Sequence, residues 1–214
     1  PVTGEKFRPE NCKITNEQTS VNIDFDAFQS WFVIFSKTSN TKKLKQLYKP
    51  AALIKKMKIE GPWLVSFNEK WGGPRQVQFN ALEDWTTRHE QGIKYYSGTA
   101  VYKKQFDLDF PKDSRSEFFI DLGLVKEIAS VKLNGKNLGI VWTAPWRIEC
   151  SRFLKEKQNE LEIEVDNLWV NRLLLDAKLP PAERLTRTNI SIPKDYTLMP
   201  SGLLGPVKIL QVIS

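Results

Sequence analysis

The chain has 214 residues, 41% hydrophobic and 11% aromatic, with seven tryptophans, so a sizeable core is within reach and global disorder is excluded. Its net charge of +7 arises in one place, because eight lysines and no acidic residue lie between Ser36 and Ile59, while elsewhere 24 basic residues face 25 acidic ones. The single histidine, His89, rules out paired-histidine metal sites and forces any histidine-based triad through itself, and no apolar run approaches the roughly 20 residues of a membrane helix.

The chain opens on proline with no signal peptide, which reads as a piece of a longer polypeptide. Residues 1–36 read as the terminal strands of a β-rich element: Val21, Ile23 and Phe25 alternate with polar residues, and Trp31 to Phe35 has the continuous apolar character of a strand buried on both faces. So few strands cannot bury their own faces and must dock elsewhere. Residues 37–60 read as a basic linker with short helical turns, since Leu44, Leu47 and Tyr48, then Leu53, Ile54 and Met57, have helical spacing on either side of Pro50. These lysines lack the aromatic interleaving and reading motifs of a nucleic-acid site, and a solvated linker is the expectation.

From Gly61 to the C-terminus strand follows strand. Trp63, Val65 and Phe67 alternate; Val77 and Phe79 come after the Trp71-Gly72-Gly73-Pro74 turn; Ala100, Tyr102 and Phe106 follow, then Phe118, Ile120 and Leu122. Asp84-Trp85-Thr86 reads as a turn or short helix without chemistry, and Tyr95 and Tyr96 either line a groove or pack over the end of the fold. Asn134-Gly135 tolerates the positive φ of a type I′ hairpin turn, and a two-residue loop there would pair Val131 with Leu138 and Ala129 with Ile140, all four on one face. Leu161, Ile163 and Val165 alternate with Glu160, Glu162 and Glu164, and Val207 to Ile213 reads as the last strand. About eight short strands with Gly, Pro and Asn turns predict an all-β antiparallel sandwich, a jelly roll, over 61–214. Cys12 and Cys150 match no CxxC pattern; free thiols, a disulfide and burial all stay open, burial being the expectation.

An ordered set of short matches carries a resemblance: Gly61-Pro62-Trp63, Tyr96-Ser97-Gly98-Thr99-Ala100-Val101-Tyr102, Asp121-Leu122-Gly123, and Val131 through Gly139. It continues with Trp142, Pro145-Trp146-Arg147, Asn159-Glu160-Leu161, Asn167-Leu168-Trp169-Val170-Asn171-Arg172-Leu173 and Pro200-Ser201-Gly202-Leu203-Leu204-Gly205-Pro206-Val207. Together they resemble the galactose-binding-like jelly roll of family 2 glycoside hydrolases, and more closely the C-terminal region of family 106 α-L-rhamnosidases of the Bacteroides type. Residues 1–36, with Thr3-Gly4, resemble the end of the preceding accessory domain. One departure is Leu175, where the pattern has glycine.

The resemblance implies a secreted or periplasmic protein whose catalytic carboxylates sit in an upstream barrel domain. The chain itself has neither the length nor the helix–strand alternation of a barrel of typically ~250 residues. It is therefore expected to be a non-catalytic accessory module whose partners are glycans and the upstream catalytic domain. The rivals are a purely structural interdomain module and, more weakly, an enzyme in its own right. Sugars are held by aromatic faces and by Asn, Asp or Arg hydrogen bonds, which nominates Trp142, Trp146, Arg147, Trp169, Asn171 and Arg172; the same side chains could instead close the core and pair with carboxylates. The Glu160, Glu162, Glu164 row has spacing compatible with a catalytic pair but lies on an outer strand face without desolvation, so no catalytic residue is assigned. No cofactor is expected; a structural Ca²⁺ could draw on Asp121, Asp166 or Asn167, although no diagnostic ligand spacing is present. His89 reads as a surface-loop residue.

Overall fold

The computed structural model describes residues 4, 6–9, 12–25, 29–35, 45–46, 52–189, 193 and 196–213. At the N-terminal end, Cys12–Ile14 and Thr19–Val21 form an antiparallel hairpin, and Phe7–Arg8 pairs in parallel with Lys45–Gln46. The strand expected through Ile23 and Phe25 stops at Val21, and Phe25 is exposed. Trp31 to Phe35 is not a strand: Phe32, Val33, Ile34 and Phe35 are exposed, and among the described residues only Trp31 finds an aromatic neighbour, edge-on against Phe7 at 5.9 Å. Apolar continuity makes a buried strand only where partner strands and a cover exist, and the described residues supply neither.

The sandwich begins at Ala52 rather than at Gly61. Strand β1 (Ala52–Lys58) pairs antiparallel with the C-terminal strand, so the helical turn expected from Leu53, Ile54 and Met57 is overturned; Leu44, Leu47 and Tyr48 lie outside the described residues. Pairing with an available sheet edge outweighs a local spacing that fits a helix as well as a strand. Met57 and Ile59 are buried, whereas Lys55, Lys56 and Lys58 are exposed along an edge strand, where lysines oppose edge-to-edge association.

The remaining strands are β2 (Trp63–Phe67), β3 (Val77–Phe79), β4 (Thr99–Phe106), β5 (Glu117–Asp121), β6 (Leu124–Lys126), β7 (Ile128–Leu133), β8 (Lys136–Val141), β9 (Arg147–Glu149), β10 (Asn159–Asp166), β11 (Gly202–Gly205) and β12 (Lys208–Ile213). They build a six-stranded antiparallel sheet in the order β8-β7-β10-β4-β2-β3, facing a four-stranded one, β9-β5-β12-β1, with β6 and β11 paired at the side. The period-2 pattern is realised directly: Leu161, Ile163 and Val165 are buried while Glu160, Glu162 and Glu164 face out, and Trp63, Val65, Phe67, Ala100, Tyr102, Phe118 and Ile120 fill the interior.

The hairpin is present with Leu133 opposite Lys136 and positive φ at Asn134 and Gly135, but its register differs from expectation. A bulge at Val131/Lys132 places Val131 opposite Gly139 and Ala129 opposite Val141. Val141 is consequently buried and Leu138 packs on the core, whereas Ile140 is exposed. A bulge adds one residue to one strand and inverts the alternation beyond it.

The core centres on aromatic rings meeting edge to face. Phe67 lies 4.9 Å from Tyr96 and 5.3 Å from Trp85, and Tyr102 touches both Trp63 and Phe79. Gly202, at φ 100°, lies against Trp85, and a Cβ there would stand 2.4 Å from the indole nitrogen. Gly202→Ala is expected to cost roughly 3 kcal/mol in urea unfolding, combining overpacking with left-handed strain.

Both cysteines are free: Cys150 is fully buried, and Cys12, against expectation, is exposed on the short hairpin. Burial, followed by the nearby Glu149 carboxylate, pushes the Cys150 thiol far above its ordinary value. Ellman's reagent should therefore titrate Cys12 rapidly in the native chain and Cys150 only after denaturant is added; fast reaction of both thiols would contradict the burial.

Candidate functional site

Val141, Ala129, Val165, Ala100 and Phe67 lie in one row across the six-stranded sheet, so the loops after β8, β10 and β2 and the loop before β4 all emerge at the same end. This end is opposite the Asn134-Gly135 turn, so Trp142 lies far from the hairpin turn it follows in sequence. Three of the sequence motifs meet here. The Ser97 hydroxyl donates to the Leu168 carbonyl (2.9 Å) and accepts from the Arg172 N–H (3.1 Å), capping from another loop a helix, α1 (Val170–Asp176), that lacks a side-chain cap of its own. Asn167 accepts from Gly98 N–H and donates to the Tyr96 carbonyl and the Ser201 hydroxyl. Asn171, fully buried, donates to Met199 O and Ser201 Oγ and accepts from Met199 N–H.

A second buried layer supports the first. Asp84 accepts from Thr86 N–H and Ser201 N–H, opening the short 3₁₀ turn Trp85–Thr87. The indole N–H of Trp85 donates to the Tyr102 hydroxyl, which also accepts from Leu203 N–H. Tyr96 bridges Asn68 N–H and Thr99 O, its phenol raised by burial.

The structure divides the nominated residues. Trp142 is 58% exposed and Trp169 45% exposed, both at this end. Trp142 follows β8 directly, two residues after the exposed Ile140, and the exposed Ile128 opens the neighbouring strand β7. Trp169 turns the other way and meets Trp71 edge-on at 5.0 Å, beside the Gly72 turn and Leu185. Trp146 is half-buried and packs on the core, and Arg147, on edge strand β9, pairs with Asp121 at 3.0 Å. Asn171 and Arg172 are interior. Arg172 is 6% exposed and its Nη2 meets Asp176 at 2.5 Å, while its Nε has no partner among the described residues. Two tryptophans are thus free to meet a ligand, and the polar residues nominated beside them are committed to structure.

Other chemistry is weaker here. Glu162 is bound by Lys132 at 2.8 Å and Lys103 at 3.0 Å, which hold its carboxyl below the usual range, the reverse of what a general acid needs. Asp121 and Asp166 lie in different sheets, Asp121 occupied by Gly123 N–H and Arg147 and Asp166 by Thr99, so they do not converge on an ion with Asn167. His89 is exposed.

A family profile described as glycosyl hydrolase 2 galactose-binding domain-like matches residues 77–191, more than half of the chain. The chain belongs to this family. It is 31% identical to a rhamnosidase from Novosphingobium sp. PP1Y, whose structure superimposes with a TM-score of 0.77 over 94% of this chain and 19% of that one. A Formosa agariphila protein named "Putative beta-glucuronidase" is 38% identical over 176 residues, 71% of this chain and 15% of that protein. The β-D-glucuronidase of Dictyoglomus thermophilum shares the fold, at 21% identity and a TM-score of 0.53 over 78% of this chain. The chain spans less than a fifth of the length of the first two.

In this galactose-binding-like domain, sequence reading passed over Trp71, Asp84, Ser97 and Ser201. Trp71 was legible only as part of a turn, although a large aromatic beside Gly-Gly-Pro is a signal of a loop that packs on something. Leu175, the departure from the family pattern, lies within α1, so the chain stays helical through Asp176.

Asp176 gives a pH prediction. Burial pushes its carboxyl up, but hydrogen bonds from Arg172 and Thr186 outweigh this and hold it below its ordinary value of 3.8. A carboxyl depressed in the folded state stabilises fully above its unfolded pKa and loses that contribution as pH falls through the folded pKa. Asp176→Asn should therefore lower the melting temperature at pH 7, and the gap to the parent chain should narrow below about pH 4. A gap independent of pH would contradict the assignment.

Proposed function

We propose that this chain is a non-catalytic accessory domain of a glycoside hydrolase of the α-L-rhamnosidase type, secreted or periplasmic, that presents exposed tryptophans to glycan at the loop end of the sandwich. The observation that carries the reading is that Trp142 and Trp169 stand exposed at one end of a fold whose other large aromatics are mostly buried. An indole face offers a pyranose ring a flat apolar surface, and most tryptophans held only for packing are removed from water. The family and the likeness to the rhamnosidase support the glycosidase context, and the mixed-charge outer sheet face supports the non-catalytic part. On this reading the carboxylates that cleave the substrate come from another domain of a longer polypeptide.

A second reading has its own support: Asn171, Arg172 and Ser201 are spent on holding loops together, as in a purely structural interdomain module. Titration of the chain with L-rhamnose and pectin-derived oligosaccharides, followed by tryptophan fluorescence, separates the two. We expect saturable quenching, weakened about tenfold (~1.4 kcal/mol) by Trp142→Ala or Trp169→Ala with the melting temperature little changed. Trp146→Ala is unsuitable because that ring packs on the core. No response up to millimolar sugar would sink the glycan-binding reading and leave the structural module.

A further inference from the structure

The opposite end of the sandwich, around the Asn134-Gly135 turn, holds an open groove of about 700 Å³, inside the ~300–1,000 Å³ range of small-ligand sites. Gln105, Phe106 and Asp107 line it from the end of β4, Gln158 and Glu160 from the start of β10. Asn134 and Lys155 complete it.

Two observations separate this groove from an ordinary surface depression. First, its frame is fixed. Asn134 Nδ2 donates to Phe153 O (2.7 Å) and Asn159 Oδ1 (3.1 Å), its Oδ1 accepts from Glu160 N–H (2.9 Å), and Asn159, fully buried, clasps both the N–H and the carbonyl of Lys155. Second, the two non-glycine residues with positive φ among those described, Asn134 at 52° and Gln158 at 54°, both line it. The hairpin turn demands the first. Gln158 has no such reason: a glutamine in left-handed conformation costs of order 1 kcal/mol, and it is held there by Asp107, which accepts its N–H at 2.6 Å.

We infer that this groove is a saccharide site separate from the tryptophan end, and that it takes a neutral sugar residue. The groups left over after the frame is satisfied decide the class. The Gln158 amide, the Lys155 ammonium and one oxygen each of Asp107 and Glu160 have no hydrogen-bond partner among the described residues. Planar amides and carboxylates engage neighbouring hydroxyls of a ring by paired hydrogen bonds, and half-buried Phe106 offers an apolar contact for ring C–H groups. Two carboxylates against one ammonium give the groove a formal charge of −1, which disfavours a sugar carrying its own carboxylate.

The test is an ¹H–¹⁵N titration of the labelled chain, read at the Gln105 and Gln158 side-chain amides, with D-glucose, D-galactose, L-rhamnose and cellobiose, and D-glucuronate as the anionic control. We expect saturable shifts with at least one neutral sugar, at least tenfold weaker binding of glucuronate, and at least a tenfold loss in Glu160→Ala, whose side chain is exposed. Gln158→Gly relaxes the backbone and removes the amide, so it should raise the melting temperature while weakening binding. The inference falls if no neutral sugar moves these amides at about 50 mM, if glucuronate binds as well as the neutral sugars, or if both variants bind like the parent. Because these amides are remote from Trp142 and Trp169, this result and the fluorescence titration can fail separately.

Discussion

Ser201 holds the loop end of this sandwich together. Its hydroxyl receives hydrogen bonds from both Asn167 and Asn171 and passes one to Met199 O, while its N–H goes to Asp84 and its carbonyl accepts from Trp85 N–H. Segments some 30 and more than 100 residues away in the chain are thereby fixed to the segment that leads into β11 through one small, buried side chain and its own backbone. Burying loops is costly because their backbone groups have no ladder to satisfy them, and here short polar side chains take the role of the missing strand partners. A serine fits because its hydroxyl can accept and donate at once, and the neighbouring Gly202 leaves the room that the Trp85 ring occupies.

That network explains why the motifs stand out in the sequence and why they misdirect. Tyr96-Ser97-Gly98-Thr99, Asn167 to Arg172 and Pro200-Ser201-Gly202 look like recognition residues, being polar and aromatic in loops. Most of them recognise one another. Asn171 and Arg172 are the type and spacing of sugar ligands, yet the helix that carries them turns both inward, where Asn171 satisfies Met199 and Ser201 and Arg172 finds Asp176 one turn later. Residue type specifies which hydrogen bonds a side chain can make; only the tertiary fold specifies whether the partner is protein or ligand.

The strands were more legible than the site because period-2 burial is a local property. Glu160 to Val165 and Trp63 to Phe67 could be read directly, since one face meets the core along the whole strand. The failures share a cause as well. Leu53 to Met57 has a spacing that suits helix or strand, and the edge offered by Lys208–Ile213 decides for strand. Trp31 to Phe35 has strand composition but no partner strand among the described residues. In the hairpin, Asn134-Gly135 fixes the turn but not the bulge three residues on, and it is the bulge that turns Ile140 outward and Val141 inward. A one-residue irregularity, invisible to periodicity, thus sets which side chains of the strand face the core and which face out.

The two ends of the fold are consequently built on opposite principles. At the Trp142 and Trp169 end the polar groups are consumed internally, and what remains for a partner is apolar surface: indole faces, Ile128, Ile140 and Leu168. At the Asn134 end the frame is satisfied by two asparagines, and what remains is hydrogen-bonding capacity without an exposed ring. A pyranose has both kinds of surface, an apolar C–H face and an equatorial belt of hydroxyls, so each end could engage one aspect of it with little help from the other. Affinity at the first end would come from area removed from water and vary little between sugars of similar shape. At the second it would depend on the positions of individual hydroxyls, because hydrogen bonds to planar amides and carboxylates are directional. On the proposed reading, a domain with both ends would hold a polymer loosely at one and read its residue identity at the other, a division of labour that follows from where this sequence spends its asparagines and where it leaves its tryptophans.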